Sequence, residues 1–154
     1  MRHKRKTVLR LKGRDPMVFG RGAEKAEFLR GKDINFEIVP GVSAAFAGPT
    51  AAGIPVTHRL LSSSVLVAGH GSSDGTEQAK VDWKKNARAA DTLAILMGAG
   101  IFREIASHLI RGGLNADTPV AAISWATTAK QSTILSTLGT LSCKSRTPRI
   151  RPPA

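Results

Sequence analysis

Short apolar runs, each broken off by glycine, proline or a cluster of small polar residues, constrain this chain more than any other feature of its sequence. They read Val8-Leu9 with Leu11, Phe36-Glu37-Ile38-Val39, Val65-Leu66-Val67-Ala68, Leu93-Ala94-Ile95-Leu96-Met97, Val120-Ala121-Ala122-Ile123 and Thr133-Ile134-Leu135. Runs this short, rich in β-branched residues and closed by turn formers, suit buried strands better than helices. Helical segments fall between them. Gly22 to Leu29 holds good helix formers, with Ala23, Ala26, Phe28 and Leu29 expected on the buried side. Ser43 is placed to cap a small-residue helix from Ala44 to Ala52, and Trp83 to Ala90 forms a weaker one. Ile101 to Arg111 is amphipathic, with Ile101, Ile105, Leu109 and Ile110 expected on one side. Alternating strands and helices predict crossover connections, hence an α/β fold with mostly parallel sheets. Gly53-Ile54-Pro55 marks a boundary between a first domain over residues 1–56 and a second over 57–154.

Composition narrows the chemistry. Only 5% of residues are aromatic against 42% hydrophobic, so Ala, Val, Leu and Ile must build the core. Twenty-three Lys and Arg against eleven Asp and Glu give a formal charge of +12, which attracts polyanions of any kind. The dense basic run, Arg2 to Lys6, reads as a solvated tail. One cysteine, Cys143, excludes an internal disulfide framework and points to a reducing, cytoplasmic setting. The longest apolar stretch, Thr92 to Phe102, falls far short of the ~20 residues of a membrane span. His3, His58, His70 and His108 lack metal-ligand spacing, so no metal site is expected, and Trp83 and Trp125 read as packing groups.

In an open α/β sheet, ligands lie beyond the carboxyl ends of the strands. The strand exits read Gly13-Arg14-Asp15-Pro16, Pro40-Gly41-Val42-Ser43, Gly69-His70-Gly71, Met97-Gly98-Ala99-Gly100 and Trp125-Ala126-Thr127-Thr128. Small residues there let backbone groups approach a nucleoside-sized ligand. Taken together, and with Val18-Phe19-Gly20-Arg21-Gly22 and Ala52-Gly53-Ile54-Pro55-Val56-Thr57-His58-Arg59, these stretches resemble the tetrapyrrole methylase family, most closely its uroporphyrinogen-III C-methyltransferases. Asp82-Trp83, Thr118-Pro119-Val120-Ala121 and Gly139-Thr140-Leu141 continue the resemblance toward the C-terminus, over about residues 5 to 141.

The resemblance implies two α/β domains, the first only partly present, and S-adenosylmethionine as methyl donor. It implies C-methylation of uroporphyrinogen III to precorrin-2 in sirohaem and cobalamin synthesis, by a homodimer. Donor contacts carry over to Gly13, Arg14, Asp15 and Val18, to Ser43 and Ala44, to Met97 and to Ala126. Arg21, His58 and Arg59 stand in motifs suited to the carboxylates of the substrate. Acid and base groups lie, by the same resemblance, in a family segment that would precede Met1, so no catalytic residue is assigned. The family also has a last strand that this chain is expected to lack, which predicts exposed sheet edges and weak stability. Arg14 departs from the family, which has a glycine there; a positive φ at this position would cost roughly 1 kcal/mol or more. Other readings are a methylase of a later corrin precursor, a diphthine synthase-like methyltransferase and, from another class, a basic nucleic-acid-binding module. The last should show clustered positive charge and aromatic platforms, which the sequence does not supply, so no nucleic-acid partner is expected.

Overall fold

The computed structural model describes residues 6–69 and 81–143. The basic run at Arg2, the exit at His70-Gly71, the polar loop after it and the Arg- and Pro-rich tail lie outside the described residues. By packing, the chain divides into two compact units, Met1–Ser43 and Ala44–Ala154, with Gly53-Ile54-Pro55 inside the second.

In the first unit a single helix forms, α1 (Gly22–Arg30). Its residues are good helix formers, and Gly31 closes it by donating its amide to the Glu27 carbonyl at 2.9 Å. None of its residues is fully buried; of those expected on the inward side, Ala26 and Leu29 are half-buried while Ala23 and Phe28 are exposed, Phe28 at 65%. The strands expected at Val8–Leu11 and Phe36–Val39 are also absent, and both stretches lack regular structure. A strand exists only as part of a ladder, and among the described residues no neighbouring backbone pairs with either run. Their apolar side chains stay in water, Val8 at 86% exposure and Leu11 at 84%.

The second unit holds α2 (Ala44–Ala51), β1 (Val65–Gly69), α3 (Trp83–Asn86), β2 (Thr92–Leu96), α4 (Phe102–Arg111), β3 (Pro119–Ser124), β4 (Ser132–Thr137) and α5 (Leu138–Cys143). A 3₁₀ turn, Ala99–Ile101, leads into α4. β1 and β2 pair in parallel, Val65 beside Thr92 and Gly69 beside Leu96, as a crossover through α3 demands. β3 and β4 are antiparallel, Pro119 opposite Thr137 and Ser124 opposite Ser132. Their connection, residues 125–131, is shorter than the dozen or so residues a crossover needs, so this last link is a hairpin within the α/β fold. α5 follows β4 directly and was not foreseen from the sequence.

The core gathers on one stripe of α4. Ile105, Ala106 and Leu109 are buried with Ala68 of β1, Trp83 and Ala87 at α3, and Leu138 of α5; Leu93, Ile95 and Val120 pack around them. Ile110, expected on the same side, is 37% exposed. It lies about 140° around the helix from Ile105, at 100° per residue, and so turns off the stripe. Gly112 ends α4 where a Cβ would collide with the Lys84 carbonyl oxygen and the Ala87 methyl, so its missing side chain lets α4 abut α3. Gly113 follows at φ 100°, and its carbonyl accepts Arg88 Nη2 at 2.9 Å.

At the amino ends of β1 and β2, Asp91 ties the strands together. Its Oδ2 accepts the amides of Ser63 and Ser64 at 2.9 and 3.1 Å and their hydroxyls at 3.2 and 2.8 Å. Ile105 has no solvent exposure, and Ile105→Ala should lower unfolding free energy by about 2–5 kcal/mol in chemical denaturation. Leu11→Ser, in the exposed run, should change it by no more than about 0.5 kcal/mol.

Candidate functional site

Two of the exits singled out in the sequence carry left-handed backbone, at Met97 and at Trp125 and Thr127. In the first unit, Asp15 joins two others. Its Oδ1 accepts the amides of Met17 at 2.8 Å and Val18 at 3.2 Å, and its Oδ2 accepts the amide of Gly41 at 3.0 Å. The Asp15 amide donates to the Val42 carbonyl at 3.3 Å. The Gly41 amide, then those of Met17 and Val18, hold the Asp15 carboxyl below its ordinary value. The structure thus brings Asp15 and Val18 beside the turn that leads into Ser43, which is buried at 8% exposure.

Gly13 and Arg14 sit exposed at the start of the same loop, and a Cβ on Gly13 would meet nothing within 4 Å. Arg14 is not among the residues with positive φ, so the strain expected of an arginine in place of the family's glycine does not arise. The glycines that geometry does require come later in the motif: a Cβ at Gly20 or at Gly22 would collide with the Pro16 carbonyl. Gly22 also donates its amide to that carbonyl at 2.8 Å, so the loop folds back on itself as it enters α1.

Arg21 caps α1 in the left-handed region, φ 54°. Its Nε reaches both carboxylate oxygens of Glu24 at 3.0 Å, an exposed pair of small energetic weight. A shallow depression of about 320 Å³ in this unit, lined by Arg30, Asp33, Ile34, Asn35 and Phe36, includes none of the candidate residues.

In the second unit, α2 packs on both β2 and β3, and Ala44 is its first residue. β2 leaves the sheet through Met97, which adopts φ 59° and is 47% exposed. Gly98 after it is buried, where a Cβ would stand 2.9 Å from Ile105 Cδ1 and 3.0 Å from Ile95 Cγ2. The chain therefore hugs the core at Gly98 and turns Met97 outward, at the cost of a left-handed backbone. β3 ends similarly: Ala126 lies between Trp125 at φ 51° and Thr127 at φ 67°.

A non-glycine residue in this region costs roughly 1–3 kcal/mol, and such strain persists where surrounding bonds impose it. Here the Thr127 amide donates to Gln131 Oε1 at 2.8 Å, and Gln131 Nε2 donates to the Ala51 carbonyl at 3.0 Å, pinning the loop to the end of α2. Ala126 Cβ lies 3.9 Å from where a side chain at Gly48 would begin. Trp125, expected to be a packing group, is instead 39% exposed with the Lys130 ammonium 5.6 Å from its ring, while Trp83 is buried in the core as expected.

His58 and Arg59 occupy a tight turn in the same unit. His58 exchanges backbone hydrogen bonds with Ser62 at 2.8 and 2.9 Å, its Nδ1 accepts the Leu60 amide at 3.3 Å, and Arg59 is exposed at the tip. The exposure of Trp125 and the fastening by Gln131 escaped the sequence reading, because no periodicity marks a residue forced to positive φ. The spacing Gly20-x-Gly22 behind a proline was the readable signal for the folded-back loop. Among the described residues no cluster of His, Cys, Asp or Glu is arranged to hold a metal.

Comparison with known proteins bears on this geometry. The family model for tetrapyrrole (corrin/porphyrin) methylases matches residues 2–142. A uroporphyrinogen-III C-methyltransferase from Priestia megaterium is 48% identical over 139 residues, 90% of this chain and 58% of that protein. An S-adenosyl-L-methionine-dependent uroporphyrinogen III methyltransferase from Methanosarcina barkeri is 43% identical over 151 residues, 97% of this chain and 58% of that one. The chain thus spans little more than half the length of these relatives. The crystal structure of uroporphyrin-III C-methyl transferase from Thermus thermophilus, complexed with S-adenyl homocysteine, superposes with a TM-score of 0.79 at 35% identity, covering 95% of this chain and 62% of that one. A cobalt precorrin-4 methyltransferase, 23% identical with a TM-score of 0.71, shares the fold.

Asp15 and Asp91 predict a pH dependence. Both carboxyls are held below the ordinary 3.8 by hydrogen bonds, led by the Gly41 amide for Asp15 and the Ser63 amide for Asp91. A depressed folded value means that the unfolded chain takes up protons first as pH falls. The stabilisation should therefore be complete above about pH 5, decline below it, and be gone under the folded values. Melting temperatures measured from pH 7 to 2.5 should show this fall, and it should be shallower in Asp91→Asn, whose neutral amide does not titrate.

Proposed function

The chain belongs to the tetrapyrrole (corrin/porphyrin) methylase family, and from that premise we propose that it carries the methyl-donor side of an S-adenosylmethionine-dependent uroporphyrinogen-III C-methyltransferase. What supports the reading above all is the identity, along nearly the whole chain, with two methyltransferases named for that substrate. The product in this reading is precorrin-2, on the way to sirohaem and cobalamin, and the working form is a cytoplasmic homodimer. No helix among the described residues is long and apolar enough to cross a membrane.

The residues present fit a nucleoside-bearing donor. Gly13 leaves open space, Ser43, Ala44 and Ala126 carry small side chains, and the left-handed backbone at Met97, Trp125 and Thr127 turns peptide groups out of the strand ends. When bound, the donor supplies a methyl on a sulfonium, open to attack by an electron-rich pyrrole carbon in line with the leaving sulfur. The task left to the protein is alignment, which suits fixed loops better than reactive side chains. In this reading the donor contacts fall on the backbone of residues 13–18 and on Ser43 in the first unit and, in the second, on Ala44, Met97 and Ala126. Arg21, His58 and Arg59 bind carboxylates of the octacarboxylate substrate, and the net charge of +12 favours its approach. No residue is assigned to remove the proton from the methylated ring.

Calorimetric titration with S-adenosylhomocysteine tests the donor site. The chain should bind it, and Ala126→Trp, which fills space beside α2, should weaken binding by about tenfold or more, the equivalent of ~1.4 kcal/mol. Arg59→Ala should leave donor affinity unchanged while reducing retention of uroporphyrin III, a stable octacarboxylate probe. Absence of donor binding by the unsubstituted chain would overturn the reading.

A further inference from the structure

We infer that Asp15 is a positioning residue, whose carboxylate clasps the loop at residues 13–18 to the turn at 40–42 and so fixes the backbone on which the donor rests. The inference rests on the donor-site reading above and assigns the Asp15 carboxylate, as distinct from its backbone, a role other than touching the donor.

The link is two-sided. Asp15 Oδ2 takes the Gly41 amide at 3.0 Å while the Asp15 amide gives to the Val42 carbonyl at 3.3 Å, so one residue grips the turn through side chain and main chain together. Oδ1 is engaged at the same time by Met17 and Val18, at 2.8 and 3.2 Å. Both carboxylate oxygens are thus committed to backbone amides. A carboxylate serving only to cap its own turn would need Met17 and Val18 but not Gly41, which is 26 residues away in sequence.

Gly41 is shaped for this grip. A Cβ there would stand 2.9 Å from Asp15 Cα and 3.0 Å from its nitrogen, contacts with rigid backbone that cannot give way cheaply. The two residues form a matched pair, one supplying the acceptor and the other the absence of a side chain. No β-ladder joins these segments among the described residues, so the register of the two loops depends on the clasp. Ser43, buried two positions beyond Gly41, is held where the turn delivers it.

The test is a double-mutant cycle read in donor affinity. Asp15→Asn puts an amide donor in place of one acceptor oxygen, and Gly41→Ala removes the room for close approach without touching the carboxylate. Each should weaken S-adenosylhomocysteine binding by about tenfold, and the double variant should be scarcely weaker than either, since both break one clasp. Each variant should melt somewhat lower, as loss of the Asp15 bonds demands, while staying folded at the temperature of the titration, which separates positioning from general unfolding. Exchange of the Gly41 amide, followed by NMR in donor-free protein, should accelerate in Asp15→Asn.

Additive losses in the cycle, a protected Gly41 amide in Asp15→Asn, or full affinity in both single variants would overturn the clasp while leaving the donor site standing. Failure of the unsubstituted chain to bind would overturn both.

Discussion

Burial of one stripe of α4 is the constraint on which the second unit depends. Ile105, Ala106 and Leu109 lie almost wholly out of water, in one cluster with residues of β1, α3 and α5. The parallel pair β1 and β2 brings Ala68, Leu93 and Ile95, α3 brings Trp83, and α5 brings Leu138. Because protein interiors are packed as densely as crystals, fixing this stripe also constrains where β2 ends. Gly98 shows the connection most directly. It is squeezed between Ile95 and Ile105, and that crowding obliges the neighbouring Met97 to leave the strand with its backbone left-handed.

The first unit is organised on different terms. It has one helix with no fully buried residue and two apolar runs that pair with nothing among the described residues, so hydrophobic packing contributes little. Its definition comes from polar backbone contacts: the Pro16 carbonyl folding over Gly22, and the carboxylate of Asp15 bridging to Gly41. Loops held in this way keep their peptide groups at the surface, which suits a role in gripping a ligand by its edges. The same chemistry recurs in the hairpin loop of the second unit, where Gln131 fastens Thr127 to the end of α2.

Much of the architecture was legible in the residues because it rests on local periodicity. The apolar runs at β1 through β4 and the amphipathic pattern of α4 each announce themselves within a dozen residues. The candidate positions were legible for another reason, since they stand in ordered motifs that resemble a known family. What was misread shares a physical cause. Val8–Leu11 and Phe36–Val39 have strand composition, yet a strand is a property of two backbones and the sequence of one cannot supply the other. Phe28 was expected inward as an apolar residue of a helix and Ile110 from the amphipathic pattern, but the direction of a side chain on a helix is set by what packs against it. Trp125 was expected to be a packing group, and the turn at the end of β3 leaves it 39% exposed.

The sequence by itself determined the class of fold and the family, because these follow from short-range pattern and from motif. Only the tertiary structure decided that β3 and β4 run antiparallel, that Arg14 carries no backbone strain, that Met97, Trp125 and Thr127 do, and that Asp15 spends its carboxylate on Gly41. Each of those depends on which distant backbone atoms come within hydrogen-bonding or van der Waals reach, and nearness in space across 26 residues of chain has no signature in the order of the residues alone.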